Sequence, residues 1–155
     1  MVDTRENSLV AIENRIINNK IEIGLKAFYR NSNILISKDN VPAIKIIEGN
    51  DNVKSDSKRG SSNYSTKRQL EIDVQVINKD INDKGKSIKN LFSIVKRSIF
   101  YVKNDENIYV YSNNLTNSSF INEIRTIGPL SYEASGLIGM VLVVGLNYID
   151  RQIIN

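Results

Sequence analysis

Leu70, Ile72, Val74 and Val76 alternate with Glu71, Asp73, Gln75 and Ile77, the period-two pattern of a strand buried on one face. A second run, Ala43-Ile44-Lys45-Ile46-Ile47, is β-branched and follows Pro42, which suits a strand's first position. A sheet with one apolar face needs another layer to cover it, and that requirement limits the architectures open to this chain. Between the two runs lie residues 49–67, rich in Ser, Asn, Lys and Gly and carrying Lys54, Lys58, Arg59, Tyr64 and Lys67. This composition reads as a long polar loop, and structureless loops of such length inside a compact domain are uncommon unless they bind something or stay unfolded in the free protein. Two readings stand side by side: a solvated excursion, or an arm that orders on assembly with Arg59 and Arg68 in charge-assisted contacts and Tyr64 as a packed anchor.

Two segments carry the helical period that could cover the sheet. Over residues 4–28, Leu9, Ile12, Ile16 and Ile23 form one stripe with Val10, Ile17, Ile21 and Phe28 beside it. Asp3 and Glu6 place a cap and negative charge at its start, and Gly24 is a candidate early stop. Over residues 83–102, Ile88, Leu91, Phe92, Val95 and Ile99 repeat at helical intervals behind Asp83 as a candidate N-cap. Ile34–Ile36 reads as extended, residues 108–111 as a short strand, and residues 120–127 as another closed by Gly128-Pro129.

The last run, residues 137–149, is the most apolar and too short for a membrane helix, so it is expected to be a central buried strand. Ile138, Met140, Leu142, Val144 and Leu146 should face the helices. The other face alternates Gly139, Val141, Val143 and Gly145, small enough for another backbone or subunit to approach. The expected fold is α+β: a mixed, mainly antiparallel sheet with two amphipathic helices on one face and a long protruding loop at about 49–67. Neither a repeat nor a linker divides residues 1–155, which are read as one domain.

Composition narrows the chemistry. The 155 residues include no cysteine and no histidine, which removes disulfides, thiolate zinc sites, and Ser-His-Asp or Cys-His catalysis. The N-terminus lacks a basic stretch leading into an apolar one, so no secretion signal is expected. Sequons at Asn63, Asn114 and Asn117 carry no weight in an asparagine-rich chain, whose Asn, Lys and Ile content reads as coding bias.

A net charge of +4 favours acidic partners only mildly. Lys84, Lys86, Lys89, Lys96, Arg97 and Lys103 make a possible basic surface for a phosphate backbone, set against the commoner outcome of a solvated face. Glu71 and Asp73 lie two apart with no third ligand, and Gly136-Leu137-Ile138-Gly139 has apolar residues where a backbone clamp would be polar. No phosphate-binding glycine pattern appears, and no cofactor, metal or catalytic site is expected.

The order of these features resembles that of the tail terminator and tail-completion proteins of long-tailed bacteriophages and phage-tail-like particles. The shared layout begins with an amphipathic N-terminal helix, the Pro-led strand Val41-Pro42-Ala43-Ile44-Lys45-Ile46-Ile47-Glu48-Gly49, and a protruding polar stretch. It continues through Lys67-Arg68-Gln69-Leu70-Glu71-Ile72-Asp73-Val74-Gln75-Val76, a second helix, the Gly128-Pro129 corner and an apolar strand ending in Asn147-Tyr148. The resemblance implies a non-enzymatic subunit of a six-membered ring at the head-proximal end of a tail tube, assembled in the host cytoplasm and resident in the virion.

The implied partners are copies of itself, the tube protein, a neck or connector protein and, in contractile tails, the sheath. DNA would be passing cargo in the lumen, and no membrane is involved. By that analogy Lys58, Arg59, Tyr64, Lys67 and Arg68 are the expected subunit or tube interface. A neck adaptor is an alternative of the same class. A small basic DNA-binding module, using Lys86, Lys89, Lys96 and Arg97, is the alternative from another class and would weaken steeply with salt.

Overall fold

The computed structural model describes residues 3–59, 63–132 and 135–153, with the side chains of 57–59, 63–64 and 152–153 outside that description. Helix α1 spans Thr4–Ile17, capped by the Asp3 carboxylate accepting the Glu6 amide at 3.0 Å. A break at Asn18 and Asn19 separates it from the single-turn α2, Lys20–Ile23, which ends on Gly24 in the left-handed region at φ 70°. The helix expected to reach Phe28 therefore stops early, and Phe28 lies in strand β1, Ala27–Arg30.

Strand β1 runs parallel to β2, Ala43–Arg59, with Ala27 opposite Ala43. Residues 31–42 connect them. The expected extended segment at Ile34–Ile36 is irregular, and this connection contains one 3-10 turn, Lys38–Asn40. Strand β3, Asn63–Lys79, returns antiparallel to β2 and leads to helix α3, Lys86–Phe100. The first residue of α3 follows Gly85 rather than Asp83, yet Asp83 still serves the helix start by accepting the Ser87 amide at 2.9 Å.

Strands β4 (Tyr101–Lys103) and β5 (Tyr109–Tyr111) make a separate two-stranded sheet. Strands β6 (Asn114–Thr116), β7 (Ser119–Tyr132) and β8 (Leu137–Ile153) complete the main one, in the order β1-β2-β3-β8-β7-β6. The fold is α+β, with a mixed six-stranded sheet and three α-helices. Gly128-Pro129 does not end its strand: it sits in a bulge between Ile127 and Leu130, after which β7 continues to Tyr132.

The central stripes expected from the sequence fill the core, whereas Val10, Ile17 and Ile21, expected beside the stripe of α1, are exposed. Leu9, Ile12 and Ile16 of α1 and Ile88, Leu91, Phe92, Val95 and Ile99 of α3 pack on Leu70, Ile72, Val74, Val76, Leu142, Val144 and Leu146. Ile36, Val41, Ala43, Ile77 and Leu137 form a second, smaller cluster. Among the described residues no helix is long and apolar enough to cross a membrane.

The other face of β8 corrects the idea of an open glycine notch. A Cβ on Gly139 would lie 3.2 Å from Tyr132 Cε2, and one on Gly145 would lie 2.7 Å from Gln69 Nε2. Both notches are filled by the chain itself. Over Gly145, Gln69 donates to Asn147 at 3.1 Å and Asn147 donates to Asn122 at 2.6 Å, an amide ladder across β3, β8 and β7.

The largest departure from expectation concerns residues 49–67. All but 60–62, which lie outside the described residues, belong to β2 and β3, paired from Asp51 opposite Leu70 to Arg59 opposite Asn63. Strand β8 follows along β3 to Ile153 opposite Asn63. The polar stretch is thus a three-stranded arm running past the helices. Strands β2, β3 and β8 have 17 residues each, and the arm takes the part of β2 from Asp51 to Arg59, roughly 30 Å of extended chain.

Candidate assembly surface

At the base of the arm the sheet changes from apolar to charged, and a bulge decides which side chains meet. Glu48 pairs with Ile72 and Asp51 with Leu70, with a register shift between them. Ile72 and Leu70 share the helix-facing side of β3, so the extra residue turns Glu48 and Asp51, three apart in sequence, toward the same face. Arg5, in the first turn of α1, reaches both, at 2.9 Å to Glu48 and 2.8 Å to Asp51.

Arg30, at the end of β1, binds Glu6 at 2.6 Å and lies 3.4 Å from both Glu13 and Glu48. Asn31 adds a side-chain bond to the Glu48 carboxylate and accepts the Glu48 amide at 3.0 Å. From the central strand, the Tyr148 hydroxyl donates to Asp51 Oδ2. Four elements are tied to the root of the arm by this network.

Its electrostatics follow from the geometry. Burial pushes the Glu48 carboxyl up, but hydrogen bonds from Arg5 and Asn31 and the charges of Arg30 and Arg5 outweigh it and hold it below the usual range. Burial, then the Asp51 hydrogen bond and charge, push the Tyr148 phenol up to about 12. A phenol whose folded value exceeds its ordinary one, near 10, adds stability below that ordinary value and loses it as pH rises through about 12.

Tyr148→Phe is accordingly expected to cost about 1.5 kcal/mol at neutral pH, typical of a bond to a charged acceptor. The difference from the parent should shrink between the two titration values. Urea midpoints of both proteins across pH 8 to 12 check it; a constant gap would disconnect the phenol from the network.

The structure separates the residues proposed from sequence as an interface. Arg68 turns inward, 3.7 Å from Asp51 and 3.6 Å from Asp150, so it braces the arm instead of standing free. Lys67 is exposed and pairs across the ladder with Ser55 and Ile149. Lys58 pairs with Tyr64, and Arg59 with Asn63, at the far end of the arm; the side chains of Lys58, Arg59 and Tyr64 lie outside the described residues.

The basic surface divides in two. Lys86 and Lys89 are exposed on α3. Lys96 is held by Glu123 at 2.7 Å, and Arg97 by Glu22 at 2.7 Å while its guanidinium lies 4.2 Å from the Tyr109 ring centroid. Lys103 shares Glu22 at 3.1 Å. Half of the expected phosphate-binding stripe therefore already has its counter-charge.

Sequence reasoning missed Arg5, Arg30, Glu48, Asp51 and Tyr148; Arg5 and Arg30 are charges at the ends of α1 and β1, whereas Glu48, Asp51 and Tyr148 lie inside β2 and β8. Among the described residues no group of three acidic side chains is placed to hold a metal ion. The arrangement suits rigid presentation of a surface. The chain matches no protein-family model and no curated protein.

Proposed function

We propose that this chain is a structural virion assembly protein: a subunit that caps the head-proximal end of a phage tail tube as a ring. It stops tube polymerisation and offers the docking surface for the neck or the last sheath ring. The observation that carries this reading is a sheet with two unlike open edges, one of them extended into an arm.

Among the described residues, β2 has no strand on its outer side over 47–59, and β7 has none over 122–132. Open edges are templates for pairing with another chain, and a head-to-tail ring needs two different surfaces on each subunit. The arm, stiffened by three paired strands and the ion network at its root, is a suitable element to reach a neighbour or the tube. In this reading the ring is six-membered, the partners are the tube protein, the neck protein and copies of the chain itself, and the role is non-catalytic.

Electron microscopy of particles assembled without the gene tests the proposal. Overlong tubes of variable length are the expected result. Tails of normal length lacking heads would assign the neck-adaptor role instead, and unchanged particles would sink both.

A further inference from the structure

Helix α3 carries cations along one exposed face. Lys86, Lys89, Ser93 and Lys96 follow one another at intervals of three, four and three residues, a spacing that keeps them on one side of a helix over about 15 Å. This face leads into an open cleft of about 290 Å3 lined by Lys96, Arg97, Phe100, Tyr101, Tyr111 and Glu123, with Ser93 at the junction of the two.

One wall of the cleft is aromatic. Tyr111 stacks on Phe100 with ring centroids 6.4 Å apart, and Tyr101 meets Tyr111 edge-on at 5.6 Å. Arg15 fixes the backbone beside both stacked rings by donating to the carbonyls of Ile99, at 2.7 Å, and Ser112. Tyr101 and Tyr111 nonetheless remain 39% and 57% exposed.

Charge and ring surface together select an occupant. Lys86 and Lys89 are exposed and have no ion-pair partner among the described residues. Lys96 is held by Glu123, with side chains 41% and 37% exposed, and an ion pair so open to water contributes little and yields to a competing anion. Arg97 is already engaged by Glu22 and by the Tyr109 ring, and is left out of the count. Lysines are depleted at the cores of protein–protein interfaces. Lysines in a row beside exposed aromatic rings suit a single-stranded nucleic acid, which offers regularly spaced phosphates and bases with free faces. A duplex keeps those faces inside its own stack and would leave the tyrosines unused.

The structure assigns a single-stranded nucleic-acid site to this surface: phosphates follow Lys86, Lys89 and Lys96 along α3, and a base enters the cleft to stack at Tyr111 and Tyr101. This activity is additional to the assembly role and does not rest on it.

Fluorescence anisotropy of a labelled oligothymidylate of about 10 nucleotides, within the span one such site covers, tests it on the full chain. Binding is expected at low salt and should fall linearly on a log–log plot as salt rises. Lys86→Gln combined with Lys89→Gln should weaken binding and flatten that slope by about 1.4, since each single-strand phosphate contact contributes about 0.7. Tyr111→Ala should weaken binding about fivefold or more at an unchanged slope, the loss of one stacked base, and Tyr111→Trp should retain it. The tryptophan variant separates loss of a stacking face from loss of the fold, which circular dichroism also checks.

A duplex of the same length that binds as tightly and is indifferent to Tyr111→Ala would overturn the proposal and leave only a diffuse basic face. Equal binding of polyglutamate would overturn it in favour of an acidic protein partner, and absence of binding at low salt would overturn it outright. None of these outcomes bears on tail length, so the ring reading stands or falls on the microscopy alone.

Discussion

Joining Val53 to Arg68 through a two-residue Asn-Gly turn, which removes the β2 and β3 strands of the arm beyond its root and leaves the end of β8 without its partner, is expected to leave a folded protein that no longer terminates tubes. The apolar cluster beneath the helices draws on β2 only at Ile44 and Ile46 and on β3 only from Leu70 onward. Between residues 54 and 67, Thr66 alone is buried among the described side chains. Loss of the arm should therefore cost about 1 kcal/mol, a shift of a few degrees in melting temperature for a chain of this size.

Val53 and Arg68 are already paired across the ladder, so a type I′ turn closes them without disturbing the strands. Asp51 keeps Arg5 and Tyr148, and the root of the arm stays braced. The effect on assembly should match deletion of the gene, with tails of variable and excessive length in complementation. Tails of normal length would show that the arm is not an assembly surface. A large drop in melting temperature would show that it belongs to the folding unit.

The arm is also where sequence reasoning failed, for a physical reason. Residues 52–56, Asn-Val-Lys-Ser-Asp, bury neither face, so no alternation of apolar and polar side chains exists to be read. Their strand character comes from main-chain pairing to β3, itself paired to the tail of β8, a contact more than 80 residues away in sequence. The Gly49-Asn50-Asp51 turn signal was real but marked a bulge, as did Gly128-Pro129.

Where one face is buried, the period was legible. Leu70 to Val76, the even positions of β8 and the stripe of α3 all face the cluster they were expected to fill. The ion network was invisible because a one-residue register shift decides whether Glu48 and Asp51 share a face, and a sequence does not display register across strands. Of the proposed interface residues, Arg68 was read as reaching outward because its carboxylate partner Asp150 lies at the other end of a pairing that only the fold supplies.

Leu142→Ala is expected to be the most damaging single truncation, at about 2–5 kcal/mol, the range for removing a buried leucine side chain from a packed core. Leu142 is fully inaccessible and stands between Val74 of β3 and Thr126 of β7, on the helix-facing side of a strand paired on both edges. Neighbouring strands restrain the backbone on either side, so the space left by the missing methyls cannot readily collapse. Val143 is equally inaccessible but faces away from the helices and belongs to neither apolar cluster. Val143→Ala removes less and should cost less than half as much.

Ile21→Ala serves as the surface control, since Ile21 is 87% exposed, and should fall within about 0.5 kcal/mol of the parent. Urea midpoints at constant slope measure all three. Equal costs for Leu142 and Val143 would mean that the helix layer is not what makes β8 the centre of the fold. Because the same strand continues into the arm, Leu142→Ala should also lower the temperature up to which tails of normal length form, while the arm truncation gives overlong tails at every temperature. Those two temperature profiles separate loss of the scaffold from loss of the surface it carries.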